Sequence, residues 1–194
     1  MALGLALSAC AKDEFVTRAA TEDGPGAALL GAAEAPALVS RDYSVENVEV
    51  VVPESLEVSY ANSFFPKADI VWWGDPVGDR RAQVDALITE AVKKGVADLD
   101  GARKVNLVLE VTRFHAITEK TRFAAPPGTA THDIKMMLTV LDAETGEVIE
   151  PAHPVGVTFE AHTGTQALAD MAEGITQKDR ITEKLVELMH MELG

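Results

Sequence analysis

The sequence predicts an α+β domain, a two-layer sandwich in which a mainly antiparallel sheet carries two amphipathic helices on one face. From Tyr43 onwards, segments in which Val, Ile or Leu alternate with polar residues recur, as expected of half-buried strands. Two further segments carry apolar residues at the three- and four-residue spacing of a helix face. A chain of 194 residues, part of it low in complexity, provides for one such domain, at 43–194.

The strands show the alternating pattern, and the expected order of elements is β–β–α–β–β–β–α. Strands are expected at 43–52, 69–73, 104–117, 131–141 and 148–161. A short extended piece at 56–60 follows the first strand. The segment 142–146 has the composition of a hairpin turn, in which Gly146 can adopt a positive φ. The segment 151–154, which begins and ends with proline, is expected to interrupt the last strand, and 123–130 is expected to be a loop.

Two helices are predicted to cover the sheet. The first is expected to begin after Asp79, a good N-cap, and to end at Asp100-Gly101. Because it connects two strands of one sheet, a right-handed crossover is expected. The final helix is expected to be capped by Thr176 or a nearby residue, and a weaker helical turn is expected before it, at 166–173. The apolar face of the final helix consists of Ile181, Leu185, Leu188 and Met189.

Cys10 is the only cysteine in the chain, and it closes the run Leu7-Ser8-Ala9-Cys10 directly after an apolar stretch at 2–6. A bacterial lipoprotein signal peptide ends in this way, with small residues before the cysteine whose thiol takes a diacylglycerol. We therefore expect residues 1–9 to be the end of a signal peptide and Cys10 to be the lipidated first residue of the mature protein. The anchor would be permanent, because each buried methylene contributes about 0.8 kcal/mol. The alternative is an unmodified thiol in an Ala-rich leader.

The leader departs from the usual signal peptide in one respect. No basic residue precedes Lys12, and the apolar stretch is short. We therefore expect the leader to begin upstream of Met1. Ala11 follows the cysteine, and this residue type at the second mature position favours the outer membrane over the inner membrane in well-studied bacteria. The expected location is the periplasmic face of a bacterial membrane.

Residues 10–42 are rich in Ala, Gly and Pro and are expected to form a flexible tether. The formal net charge of the chain is −14. An acidic surface disfavours nucleic acid and is repelled by anionic lipid headgroups. The single cysteine excludes an intrachain disulfide. The chain also contains no apolar run of about 20 residues, the length that a transmembrane helix needs.

The residues that could carry chemistry form no known catalytic motif. The chain contains no His-Glu-x-x-His, no Gly-x-Ser-x-Gly and no Gly-rich phosphate loop. We therefore expect no enzymatic activity and no cofactor, and a hydrolase built from scattered carboxylates is the remaining enzymatic alternative. His132 and Asp133 at a strand start and His162 at a strand end could meet and form a weak metal site. The alternative is that these are solvated residues at strand ends.

Trp72 and Trp73 are adjacent in a predicted strand, so their side chains point to opposite faces. One indole is expected in the core and the other towards solvent or a partner. Tryptophan is frequent among the residues that dominate protein interfaces, which makes both candidates for partner binding. Phe64 and Phe65, in a nearby loop, are further candidates. The alternative for each pair is packing within the domain.

From Val48 onwards the chain resembles a family of uncharacterised alphaproteobacterial lipoproteins. The residues that carry the resemblance are Val-Pro-Glu-Ser-Leu-Glu-Val-Ser at 52–59, Asn-Ser-Phe-Phe-Pro at 62–66, Asp-Ile-Val-Trp-Trp-Gly-Asp-Pro at 69–76 and Gly-Asp-Arg at 78–80. The resemblance implies a lipid-anchored protein and no assigned activity. In architecture alone, the chain is also similar to periplasmic lipoproteins that assist lipopolysaccharide or lipid transport machines.

The sequence favours a non-enzymatic, membrane-anchored periplasmic domain that binds a protein partner in envelope assembly or transport. The lipid on Cys10 would hold the domain at the membrane and raise its local concentration. A sheet edge or the region of Trp72 and Trp73 would contact the partner. The alternative is a domain that binds a small ligand or a metal in a cleft near His132, Asp133 and His162.

Overall fold

The computed structural model describes residues 41–194. In chain order the elements are β1 (Tyr43–Val51), β2 (Val58–Ser59), β3 (Ile70–Val71), α1 (Arg80–Gly95), β4 (Arg103–His115), α2 (Glu119–Ala124), β5 (Thr131–Asp142), β6 (Val148–Glu160), α3 (Thr165–Ala172) and α4 (Gln177–Leu193). The predicted α+β class is confirmed. The predicted end of the signal peptide, Cys10 and almost the whole of the predicted tether lie outside the described residues.

Strand β4 is the central strand of a six-stranded sheet. On one side it pairs antiparallel with β5, which in turn pairs antiparallel with β6. On its other side it pairs in parallel with two strands in succession, β1 along its first part and β3 at its end. Strand β2 continues the sheet beyond β3. The three longest strands are therefore antiparallel, and the shorter parallel strands share one edge of β4.

The side chains of β4 alternate between the face covered by helices and the opposite face. The odd-numbered residues from 105 to 111 are fully buried. The pairing with β5 then skips Thr112, which makes a β-bulge. Beyond the bulge the alternation is reset. Phe114 is therefore buried in the core, while Arg113 and His115 reach the opposite face.

Helices α1 and α4 pack against each other and against one face of the sheet. Asp79 caps α1 as predicted, and its carboxylate accepts the N–H groups of Arg81 and Ala82. Thr176 caps α4 as predicted, in a reciprocal capping box with Asp179. The apolar residues predicted for one face of α4 are all buried. Within the described part of the chain, no helix has the length and apolar character needed to cross a bilayer.

The predicted end of α1 is wrong. The helix ends at Gly95 instead of at 100–101. The chain turns after Val96, which lets the N–H group of Gly101 donate to the carbonyl of Tyr43 at 2.9 Å. This contact brings the chain beside β1 and sets the start of β4. The backbone at 96–99 therefore forms turns that follow the end of α1, and the backbone at 100–101 contacts β1.

Two further predictions are corrected. A short helix, α2, was not predicted, and its last two residues are the first two of the predicted loop. Strand β6 is continuous through Pro151 and Pro154, and the predicted interruption is reduced to a bulge at 151–152, where the pairing with β5 shifts its register. It is an edge strand, so it needs backbone donors on one side only, and proline is tolerated in such a strand.

The start of β1 is tied to β6 and to the end of α4. Tyr43 is buried, and its hydroxyl donates to Glu150 Oε1 at 2.9 Å. Burial and this hydrogen bond raise the pKa of Tyr43 to about 12. Arg41 forms an ion pair with the same carboxylate at 3.1 Å and donates to the carbonyl of Glu192. The first described residues are therefore fastened to two separate elements, β6 and α4.

We expect Gly95→Ala to lower the free energy of unfolding by about 1–3 kcal/mol, although alanine is normally the better helix residue. A methyl group at this position would lie 2.8 Å from Met189 Cβ and 3.0 Å from the carbonyl oxygen of Val186, where α1 packs against α4. Urea unfolding measures the effect. Gly78→Ala is the matched control, because its methyl group would meet the flexible Gln83 side chain at 3.0 Å and no backbone atom closer than 3.8 Å. Equal stabilities of the two variants would contradict this packing.

Candidate functional site

A groove opens on the face of the sheet opposite α1 and α4, where β4 ends and β5 begins. Its floor contains Arg113 and His115 of β4 and Asp133 and Lys135 of β5. These residues face one another across the ladder, Arg113 opposite Lys135 and His115 opposite Asp133. His115 Nε2 lies 3.1 Å from the carbonyl oxygen of Pro66, which joins the floor to one wall. The groove has a volume of about 800 Å³, within the range of roughly 300–1,000 Å³ typical of ligand pockets.

The walls of the groove are largely apolar. One wall is the loop Phe64–Pro66, and the other is the end of α2 with the loop that follows it, 124–130. The structure thus places the predicted residues Phe64 and Phe65 at the groove. Phe65 is 89% exposed, whereas Phe64 is 39% exposed and packs beneath the Lys120 ammonium group, at 4.8 Å from the ring centroid.

Hydrogen bonds from α2 hold the phenylalanine wall in place. Thr118 Oγ1 caps α2 and donates to the carbonyl of Ser63 at 2.9 Å. Thr121 Oγ1 donates to the carbonyl of Phe64 at 3.3 Å. The threonines are buried, so these bonds are shielded from competing water. The two walls are therefore fixed to each other, and the groove is preformed.

The floor of the groove carries two cations and one carboxylate. Arg113 Nε and Lys135 Nζ both lie close to Asp133 Oδ2, at 2.9 and 3.0 Å. Thr158 Oγ1 donates to the other carboxylate oxygen at 2.9 Å. Burial opposes ionisation, but the hydrogen bonds from Lys135 and Thr158 and the nearby positive charges lower the pKa of Asp133. The floor therefore has an excess of one positive charge.

Trp72 is a core residue, so the prediction that it could contact a partner is corrected. Its indole is completely buried and meets Phe114 edge to face, with 5.6 Å between ring centroids. Its Nε1 donates to Asp75 Oδ2 at 2.8 Å. Gly74 lies directly against the ring, where a methyl group would overlap it. Trp72 therefore fixes the chain that follows β3 and is not available to a partner.

Trp73 borders a second depression, which we call the Trp73 hollow. It has a volume of about 330 Å³ and is also lined by Phe123 of α2, Met171 of α3 and Ile175. Phe123 is 45% exposed and Met171 is 54% exposed. The buried Arg80 guanidinium lies over the indole of Trp73, 5.5 Å from the ring centroid. Trp73 Nε1 is shielded from solvent and has no acceptor within residues 41–194.

The structure brings two of the three weak metal candidates together, His132 and His162, and separates them from Asp133. His132 and Asp133 lie on opposite faces of β5, with His132 buried and Asp133 in the groove floor. His132 and His162 border a cavity of about 10 Å³, the size of one water molecule. His162 Nδ1 lies 2.9 Å from Asp170 Oδ2. Across residues 41–194, no three His, Cys, Asp or Glu side chains converge so that they could hold a metal ion.

The cationic floor and α2 are the parts of the site that the sequence analysis missed. Arg113 and Lys135 belong to different strands, and only the register of the ladder brings them together. The spacing of Val111 and Phe114 was a sign of the bulge. In a regular strand, residues three positions apart face opposite sides, so two such apolar residues reach the same core only if a bulge lies between them. Thr118 followed by Glu119 is also typical of a helix start.

The family model that matches residues 43–194 describes a family of unknown function, DUF6778. The chain belongs to DUF6778. As the resemblance implied, this family has no assigned activity. The DUF6778 chain has no match among curated proteins.

Several solved structures are similar to the DUF6778 chain. A candidate lipoprotein from Caulobacter crescentus CB15 has 17% identity and a TM-score of 0.31, over 75% of this chain and 86% of that chain. A protein of the family DUF330 from Xanthomonas campestris has 15% identity and a TM-score of 0.38, over 77% and 85%. A minor lipoprotein from Acinetobacter baumannii has 9% identity and a TM-score of 0.27, over 75% and 93%. At these values, none of the three transfers a function to the DUF6778 chain.

We expect the DUF6778 domain to lose stability as the pH falls from about 6.5, the usual histidine pKa, to about 4.5. Burial, together with the charges of Arg180 and Arg122, lowers the pKa of His132 to about 3, so the unfolded chain takes up a proton that the folded domain does not. The contribution of His132 is complete above about pH 6.5 and is lost towards pH 3, by about 2–3 kcal/mol between pH 6.5 and 4.5.

Urea unfolding at the two pH values measures this loss, and His132→Leu provides the comparison. The leucine has a similar volume and does not titrate, so the variant should lose about 2–3 kcal/mol less than the wild type over the same interval. Parallel pH profiles of the two proteins would show that His132 does not contribute.

Proposed function

We propose that this DUF6778 protein is a lipid-anchored, non-enzymatic protein of the bacterial envelope that binds a protein partner through the Trp73 hollow. Its domain would lie at the periplasmic face of a membrane, the outer rather than the inner, and would act in envelope assembly or transport. The exposure of Phe123 and Met171 around the hollow is the observation that carries partner binding.

The support for the anchor is in the leader. Cys10 follows the small residues Ser8 and Ala9 and an apolar stretch, as in a lipoprotein signal peptide, and Ala11 favours the outer membrane. A triacylated cysteine would hold the protein at the membrane without a transmembrane helix. The net charge of −14 would oppose adhesion of the domain itself to anionic headgroups, leaving its surface available to a partner.

The Trp73 hollow is suited to one large apolar side chain from a partner. Its exposed apolar residues Phe123 and Met171 belong to two short helices, and α3 also exposes Leu168 one turn before Met171. Burial of such side chains contributes about 25 cal/mol for each Å² removed from water. Partly exposed tryptophan, phenylalanine and methionine residues grouped around a depression are typical of interface hot spots.

The hollow also defines a polar requirement of the partner. Glu119 and Arg122 border the same hollow and would bind polar groups at its rim. The partner is therefore expected to present an apolar side chain flanked by polar groups.

We expect Cys10→Ser to move the protein from the membrane fraction to the soluble fraction when it is expressed from its own genomic locus. Serine offers no thiol to acylate, so the anchor of many buried methylenes is lost. Fractionation and mass spectrometry of the N-terminal peptide measure this. Ser8→Ala, which keeps the cysteine and a small residue at the cleavage site, should remain at the membrane. A Cys10→Ser protein that stays in the membrane fraction would overturn the anchor.

We expect the native membrane-bound protein to crosslink reproducibly to one envelope protein, and we expect Met171→Ser to remove most of these crosslinks. The substitution deletes an exposed apolar side chain of the hollow, so folding should be retained. The readout is crosslinking mass spectrometry, with crosslinks expected at Lys120 and Lys178, which are adjacent in sequence to lining residues.

Met191→Ser is the matched control, because Met191 is a methionine on α4 with 73% exposure that does not line the hollow. Crosslinks should persist in this variant. If both methionine variants crosslink as the wild type does, or if only self-crosslinks are found in all three proteins, partner binding at the Trp73 hollow is excluded.

A further inference from the structure

The groove on the opposite side of α2 from the Trp73 hollow has a charge that differs from that of the chain as a whole. The chain carries a formal net charge of −14. The groove floor nevertheless sets Arg113 and Lys135 against Asp133 alone, and Lys120 lies at the rim over Phe64. A local excess of one positive charge within an acidic protein attracts a monoanion, while the surrounding charge repels polyanions.

Arg113 retains hydrogen-bonding capacity for such an anion. Its only charged contact within residues 41–194 is the approach of Nε to Asp133, and that N–H group is not aligned for a hydrogen bond. The two terminal amino groups of the guanidinium remain, and they form the planar fork that binds a carboxylate through two parallel bonds. Arg113 is 35% exposed and Lys135 is 58% exposed, so both cations can be reached from the groove.

The walls above this floor are suited to an apolar chain. Phe64, Phe65, Ala124, Ala125 and Pro126 border the space, and none of them carries a side-chain hydrogen-bonding group. The exposure of Phe65 leaves a ring in water that a ligand would cover. Because the hydrogen bonds from α2 already fix the phenylalanine wall, little ordering is needed on binding.

We propose that the groove binds a single-chain amphiphile with one carboxylate head group, such as a fatty acid. The carboxylate lies on Arg113 and Lys135, and the acyl chain runs between Phe65 and the loop after α2. An alcohol of the same chain length would lack the carboxylate that the two cations bind, and a short acid would leave the walls uncovered. This site lies apart from the Trp73 hollow and does not depend on a protein partner.

The test is titration calorimetry of dodecanoate, below its micelle concentration, into the full chain carrying Cys10→Ser, so that no lipid of its own competes. We expect saturable binding of one dodecanoate per chain. Dodecanol should bind at least about tenfold more weakly, because it lacks the charge-assisted hydrogen bonds. Equal affinity for the alcohol and the acid would overturn the proposal, as would the absence of saturable binding.

Substitutions locate the site. Arg113→Gln and Lys135→Gln should each weaken dodecanoate binding about tenfold or more, and each leaves one cation on Asp133 to preserve the fold. Phe65→Ser should weaken binding about fivefold through lost apolar contact. Val77→Ser, at 88% exposure outside the groove, and Lys93→Gln on α1 are the controls and should bind as the wild type does. If the groove variants and controls bind equally well, while circular dichroism shows all of them folded, the groove is not the site.

Discussion

The β-bulge at Thr112 is the constraint on which both the core and the groove depend. In a regular strand, residue 113 would follow residue 111 into the core, and a buried, unpaired guanidinium costs several kcal/mol. Residue 114 would then face outward, and the core would lose the ring that meets Trp72 edge to face. The extra residue reverses both positions at once. Closure of the core beneath β3 and the positive charge of the groove floor are therefore two results of one shift in register.

Helix α2, although it has only six residues, borders both candidate surfaces. Its last residue, Ala124, borders the groove, and the residue before it, Phe123, borders the Trp73 hollow. Successive residues of a helix point about 100° apart, so a single turn can serve two surfaces. The cap Thr118 and the buried Thr121 then fix the orientation of α2 against the neighbouring loop. Both surfaces thus rest on an element held by side-chain hydroxyl groups rather than by an extensive apolar face.

The elements that the sequence predicts well are those set by near neighbours. The valines of β1, the stripe of α4 and the caps Asp79 and Thr176 depend on spacings of a few residues, and the structure confirms them. The pairing of β1 and β3 along one edge of β4 depends on contacts between distant parts of the chain, so no local pattern indicates it. Pro151 and Pro154 were misleading for the same reason, since the effect of proline depends on whether its strand lies at an edge.

The same division applies to the candidate surfaces. Phe64, Phe65 and Trp73 could be selected from the sequence. Loops lie at the surface, and the neighbour of a core tryptophan in a strand faces away from the core, so these aromatic side chains were expected to be partly exposed. The groove floor could not be selected from the sequence. Arg113 and Lys135 belong to different strands, and only the pairing of β4 with β5 places them opposite each other.

The way in which β1 joins the domain determines how the domain would carry a mechanical load. Strand β1 runs parallel to β4, and the far end of β4 leads into α2. A force applied at Arg41 and resisted at α2 would act along the strands and would load the hydrogen bonds between β1 and β4 in shear, together rather than one after another. The bonds of Arg41 and Tyr43 to Glu150 lie at the point where this force would enter. A domain pulled in this way would therefore resist through all the hydrogen bonds of the β1–β4 pair at once.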